Sequence, residues 1–131
     1  MSASMNDDVP RALRWMTLAH AVLDAPFGAV LLASPALALS AAGITAPDPL
    51  FARIYGAALL GVALVSVRVR NEGRAAYRVV LFHKVAWAGC AMVACTLAAL
   101  GGAPRVAWFF AGTFFVFASA WSYWLVRLRS T

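Results

Sequence analysis

The chain has 131 residues, of which 63% are hydrophobic and 12% charged, with a net charge of +6 and a mean hydropathy of +0.80. That composition argues against a soluble domain, whose exposed apolar surface would drive association. It also excludes reading the positive charge as a nucleic-acid footprint, because the arginines stand at the ends of four apolar stretches, each about long enough to cross a bilayer.

Residues 1–9 are polar, and Asn6, Asp7 and Asp8 place acceptors and negative charge where a following helix presents its positive end. Pro10 suits the opening of that helix, since its missing N–H is one that a first turn leaves unpaired anyway. The first span is expected at 13–33, with Trp15 at headgroup level. Arg11, Arg14 and the run Ala36-Leu37-Ala38 imitate a cleaved signal peptide. The apolar run is longer than a usual signal core and carries His20 and Asp24, so a retained span is expected. Ser34 and Pro35 then open a short interfacial helix over 35–42, capped by Ser34 and stopped by Gly43, and Thr45-Ala46-Pro47-Asp48-Pro49 makes a turn.

The second span is expected at 51–67. Ala52/Gly56 and Ala57/Gly61 are pairs of small residues four apart, a spacing that lets helix backbones approach closely in lipid. Arg53 beside Asp48 suggests an interfacial ion pair or a headgroup contact. Asn71-Glu72-Gly73 forms the next turn. The third span, 79–100, is rich in small residues, Gly89 among them, and holds Cys90 and Cys95. Five residues apart on a helix, the two thiols diverge by about 140° and cannot pair; they read as free thiols buried in packing. Gly101-Gly102-Ala103-Pro104 ends that span. The fourth, 106–126, holds most of the aromatic residues, and Phe110, Phe114, Phe117, Trp121 and Trp124 step by fours and threes into one helical stripe. The stripe is either a packing ridge with interfacial anchors or a flat face turned toward a pigment, a quinone, a partner helix or lipid.

The arginines set the expected orientation. Arg11, Arg14, Arg68, Arg70, Arg74, Arg78, Arg127 and Arg129 fall on one side of the four spans, against Arg53 and Arg105 on the other. Short loops rich in Arg stay cytoplasmic, which puts both termini inside. Arg68, Arg70, Arg74 and Arg78 are then positioned to touch anionic lipid headgroups.

Ionisable groups inside a span are costly, about 2.5–3.5 kcal/mol for Asp or Lys at the centre on insertion scales, and mark functional candidates. His20 and Asp24 share a face of the first span, about 10 and 16 Å deep. Pro26 withholds a donor from the Val22 carbonyl and is expected to kink the helix beside them. His83 and Lys84 lie near the inner end of the third span, with Lys84 long enough to reach Asp24 or to snorkel back to the surface. Three readings compete: a structural polar cluster, a proton or small-solute site on Asp24 and His20, and haem held by His20 and His83. No metal-ligand spacing, phosphate-binding loop or nucleophile motif is present in the sequence, so no metal and no catalytic residue is assigned.

The stretch from Pro35 to Gly61, with its Gly-Ile-Thr-Ala-Pro turn followed by Phe-Ala-Arg-Ile-Tyr-Gly-Ala-Ala-Leu-Leu-Gly, resembles small bacterial four-helix membrane proteins, DoxX-like and related uncharacterised families. The resemblance covers the whole chain in layout and is carried in detail by the Pro and Gly positions, Arg53, Gly56 and Gly61. It implies an all-α fold of four membrane helices with short loops and no single activity. The sequence expectation is therefore a single-domain, all-α four-transmembrane-helix bundle of the inner membrane. It is expected to act as a non-enzymatic accessory, assembly or stabilising subunit of another membrane protein, or to self-associate. A transporter on Asp24 and His20 is the alternative, and a haem- or quinone-binding redox protein the third reading.

Overall fold

A computed structural model describes residues 9–45 and 48–130. Asn6, Asp7 and Asp8 and the Ala46-Pro47 part of the expected turn lie outside the described residues. The fold is all-α: α1 Arg11–Ala33, α2 Pro35–Ala41, α3 Leu50–Val69, α4 Arg74–Leu100 and α5 Val106–Ser130, with no strand among the described residues. Apart from α2, each helix is long and apolar enough to cross a membrane. The two longest helices, α4 and α5, extend past the apolar spans through their arginines. An arginine-bearing turn is a good helix former, and continuing the helix keeps its backbone groups paired at the headgroup level.

The chain divides into two compact units, Met1–Gly73 and Arg74–Thr131. The first is a hairpin of α1 against α3, with α2 at its closed end. Leu13, Thr17, Ala21, Gly28 and Leu31 are buried on α1, and Gly56, Leu59, Ala63, Ser66 and Val69 on α3, in steps of three and four that make a stripe on each helix. The helices touch backbone to backbone where Gly28 meets Gly56. A Cβ built on Gly28 would stand 2.8 Å from the Gly56 carbonyl oxygen, and one on Gly56 would stand 2.7 Å from that of Gly28. At the open end Arg14 Nη1 donates to the Arg70 carbonyl at 2.5 Å. These two contacts fix an antiparallel register. The buried hydroxyls need no partner helix: Thr17 donates to the Leu13 carbonyl at 2.8 Å and Ser66 to that of Val62 at 2.7 Å, each one turn back.

The closed end departs from expectation in two details. Ser34 makes no side-chain cap on α2, although Pro35 occupies its first turn as expected. Asp48 forms no ion pair with Arg53. Its Oδ1 instead accepts the Leu50 N–H at 2.8 Å, where a carboxylate suits both an unpaired donor and the positive end of α3. Gly43 stops α2 in the left-handed region at φ +67°, with the Ile44 N–H bonded back to the Leu39 carbonyl.

The second unit is a hairpin of α4 and α5 turned at Gly102, whose φ is +89°, with the Ala103 N–H returning to the Ala98 carbonyl. Its seam tapers. Tyr77, Leu81, Trp121, Leu125 and Leu128 fill the arginine end, and Ala88, Ala107 and Ala111 line the turn end. At the open end Arg74 Nη2 donates to the Leu128 carbonyl.

Of the three glycines expected at packing sites, Gly56 stands in the crossing of the first hairpin. A Cβ on Gly61 or Gly89 would meet nothing within its own hairpin, because both stand off the seam. Cys90 is likewise exposed, on the side of α4 away from Ala88, and only Cys95 is partly covered. Gly28→Ala and Gly56→Ala are each expected to destabilise the protein by about 1–3 kcal/mol, since two backbones must part to admit the methyl. Gly61→Ala is expected to be neutral or to stabilise by up to about 1 kcal/mol through helix propensity. Thermal unfolding in mild detergent checks both signs. An unchanged midpoint for Gly28→Ala would contradict the close crossing.

Candidate functional site

The α1 stripe that ends in the Gly28–Gly56 crossing passes through His20 and Asp24. Steps of four and three from Leu13 reach Thr17, His20, Asp24, Gly28 and Leu31, so both ionisable groups belong to the face turned toward α3. His20 Nδ1 stands 2.8 Å from Asp24 Oδ2, and the two side chains are only 12% and 13% exposed. No hydrogen bond of good angle reaches that buried oxygen, so the pair is in close contact without a well-aimed N–H···O bond. The hairpin register sets Asp24 level with Leu60 and His20 level with Leu64. Between Arg53 and Arg68 the only ionisable side chain on α3 is Tyr55. Within this hairpin, then, the ionisable group beside Asp24 in the apolar interior is His20. Burial makes such a pair interdependent: removing either member leaves a polar group in hydrocarbon without its local partner.

Helix α1 runs unbroken through Pro26, which is exposed and lies about 200° around the helix from Asp24. The Val22 carbonyl that loses its donor is on that far face too, since Val22 is also exposed.

His83 and Lys84 belong to the second hairpin, and they part company there. Lys84 is 3% exposed, and its Nζ lies 5.0 Å from the centroid of the Trp121 ring. It neither snorkels to the surface nor stays in lipid: it stands in the α4–α5 seam with its ammonium over an aromatic face, a contact that strengthens when desolvated. His83, one residue earlier, is turned out of the seam and exposed. Residues 74–131 contain no Asp or Glu, so this hairpin supplies no carboxylate of its own to Lys84. Among the described residues no group of three or more His, Cys, Asp or Glu is placed to hold a metal ion.

The aromatic stripe is placed in a graded way. Trp121 is 2% exposed and belongs to the seam, while Phe110, Phe114, Phe117 and Trp124 are half-buried along its flank. The well-exposed aromatic residues of α5 are others: Trp108, Phe109, Phe115 and Tyr123. Arg68, Arg70 and Arg78 are all exposed, and Arg68 is engaged with Glu72 one turn on. Gly28 and Tyr77, the latter completely buried, are among the seam residues that sequence reasoning misses. Helical steps of three and four back from Leu31 pass through Gly28 and so carry a signal for it. Tyr77 lies outside the expected apolar span and carries no comparable signal.

No family model, curated protein or solved structure matches this chain. The chemistry of its residues therefore has to carry the functional reading.

If His20 and Asp24 act as a pair, the stability losses of His20→Ala and Asp24→Ala will not add. A double-mutant cycle by unfolding in mild detergent is expected to show a coupling of about 0.5–3 kcal/mol. Additive losses would separate the two residues.

Proposed function

We propose that this protein is a multi-pass inner-membrane protein that serves, without catalysing a reaction, as an accessory or assembly subunit of another membrane protein. Both termini are assigned to the cytoplasm, because the basic residues cluster at the open ends of the two hairpins and short basic loops stay inside.

One observation carries the proposal: the outward face of α5. Trp108, Gly112, Phe115, Ser119, Tyr123 and Val126 recur in steps of three and four, and all are exposed. Large aromatic side chains alternate with small ones along this face. A Cβ on Gly112 would meet nothing, and the Ser119 hydroxyl is bonded back to the Phe115 carbonyl at 2.8 Å, so both positions are shallow notches. Lipid chains impose no need for notches. Membrane helices associate by van der Waals packing, and small residues between large ones let a second backbone come close. The occupant this face fits is a transmembrane helix of a partner protein.

The pairing of His20 with Asp24 favours a second reading, a proton or small-solute site in the first hairpin. That reading predicts proton uptake by vesicles carrying the purified protein, lost in Asp24→Asn while insertion and folding persist. For the accessory reading, a photoreactive residue at position 115 is expected to link to one protein in the source membrane. The same residue at buried position 125 is expected to link within the chain. Lipid adducts alone at position 115 would contradict a helix partner.

A further inference from the structure

At the arginine end of the second hairpin, α4 and α5 leave an open cleft of about 340 Å³ lined by Ala75, Arg78, Val79, Phe82, Leu125 and Arg129. That volume falls at the low end of small-molecule sites, about 300–1,000 Å³. Its lining is ordered along the helices. Arg78 and Arg129 stand at the lip, one on each helix. One turn further into the span are Phe82 on α4 and Leu125 on α5, about 6 Å deeper. Val79 and Phe82 are exposed and make the apolar wall of the cleft.

The four arginines at this end divide by what holds them. Arg74 is tied to the Leu128 carbonyl, and Arg127 donates to the Tyr123 hydroxyl at 2.7 Å with its guanidinium over the Tyr123 and Trp124 rings. Arg78 and Arg129 are exposed and form no ion pair or hydrogen bond among the described residues, and residues 74–131 contain no Asp or Glu. A guanidinium pair with an apolar floor one turn below it matches the shape of a phospholipid: charge at the headgroup, hydrocarbon beneath. Guanidinium groups are well suited to phosphate because their planar donors engage two oxygens at once.

We propose that this cleft binds one anionic phospholipid, its phosphate held between Arg78 and Arg129 and the start of an acyl chain laid against Val79, Phe82 and Leu125. Lipid binding here rests on the four helices crossing a bilayer and is independent of what α5 docks against on its outer face.

The test is native mass spectrometry of the full chain in mild detergent, with phosphatidylglycerol or phosphatidylcholine added. The wild-type protein is expected to retain one phosphatidylglycerol in preference to phosphatidylcholine. Each basic residue at an anionic surface contributes about a factor of five, so Arg78→Gln with Arg129→Gln should weaken that retention about 25-fold. Arg11→Gln with Arg105→Gln removes the same charge away from the cleft and should leave retention unchanged. Phe82→Ala should reduce it as well, since it removes acyl-chain contact and no charge. Equal losses in the two arginine pairs would overturn the site in favour of diffuse surface charge. Complete displacement of the lipid by inorganic phosphate, with Phe82→Ala silent, would overturn it in favour of a free anion.

Discussion

The backbone crossing at Gly28 and Gly56 sets the geometry of the first hairpin. Helices in lipid gain nothing from hiding apolar side chains from each other, because the tails around them are equally apolar. What holds them is close packing, and packing improves steeply as backbones approach. Two glycines at one level permit that approach and fix which residues stand opposite one another. From this register follow the Arg14 bond to the Arg70 carbonyl at the open end and the placement of His20 and Asp24 on the α3-facing stripe. A shift of one residue along α1 would turn Asp24 out of that stripe.

The second hairpin solves the same problem differently. It has no glycine crossing, and its seam is large at the arginine end and small at the turn. Trp121 fills the wide part and gives Lys84 an aromatic face for its ammonium. With Trp121 committed to the seam, the exposed aromatic residues of α5 form a separate face, interleaved with Gly112 and Ser119. One helix thus carries two kinds of aromatic surface: an inner one that is structural, and an outer one interleaved with small residues.

Much of this is legible in the sequence. Apolar length locates four spans, and the caps at Gly43 and Gly102 follow from glycines placed just past helix ends. Helix periodicity alone pairs His20 with Asp24. Side-chain direction is harder to read. Gly56, Gly61 and Gly89 look alike in sequence, and only the position of a neighbouring backbone separates the first from the others. The α5 aromatics are dense enough that a stripe can be drawn through several faces, and the choice between them depends on where α4 lies. Charge alone pairs Asp48 with Arg53, whereas the unpaired N–H of Leu50 is nearer and better aligned.

The central claim is that the outward face of α5 receives a helix of another protein. The most direct measurement is the native mass of the complex released from the source membrane in mild detergent, compared for the wild-type chain and Gly112→Leu. Position 112 is exposed and unfilled, so the leucine leaves the hairpin intact while closing the notch. A stoichiometric protein partner is expected with the wild-type chain, and its loss with the variant. A wild-type chain that emerges alone, or a partner that stays bound to Gly112→Leu, would contradict the claim.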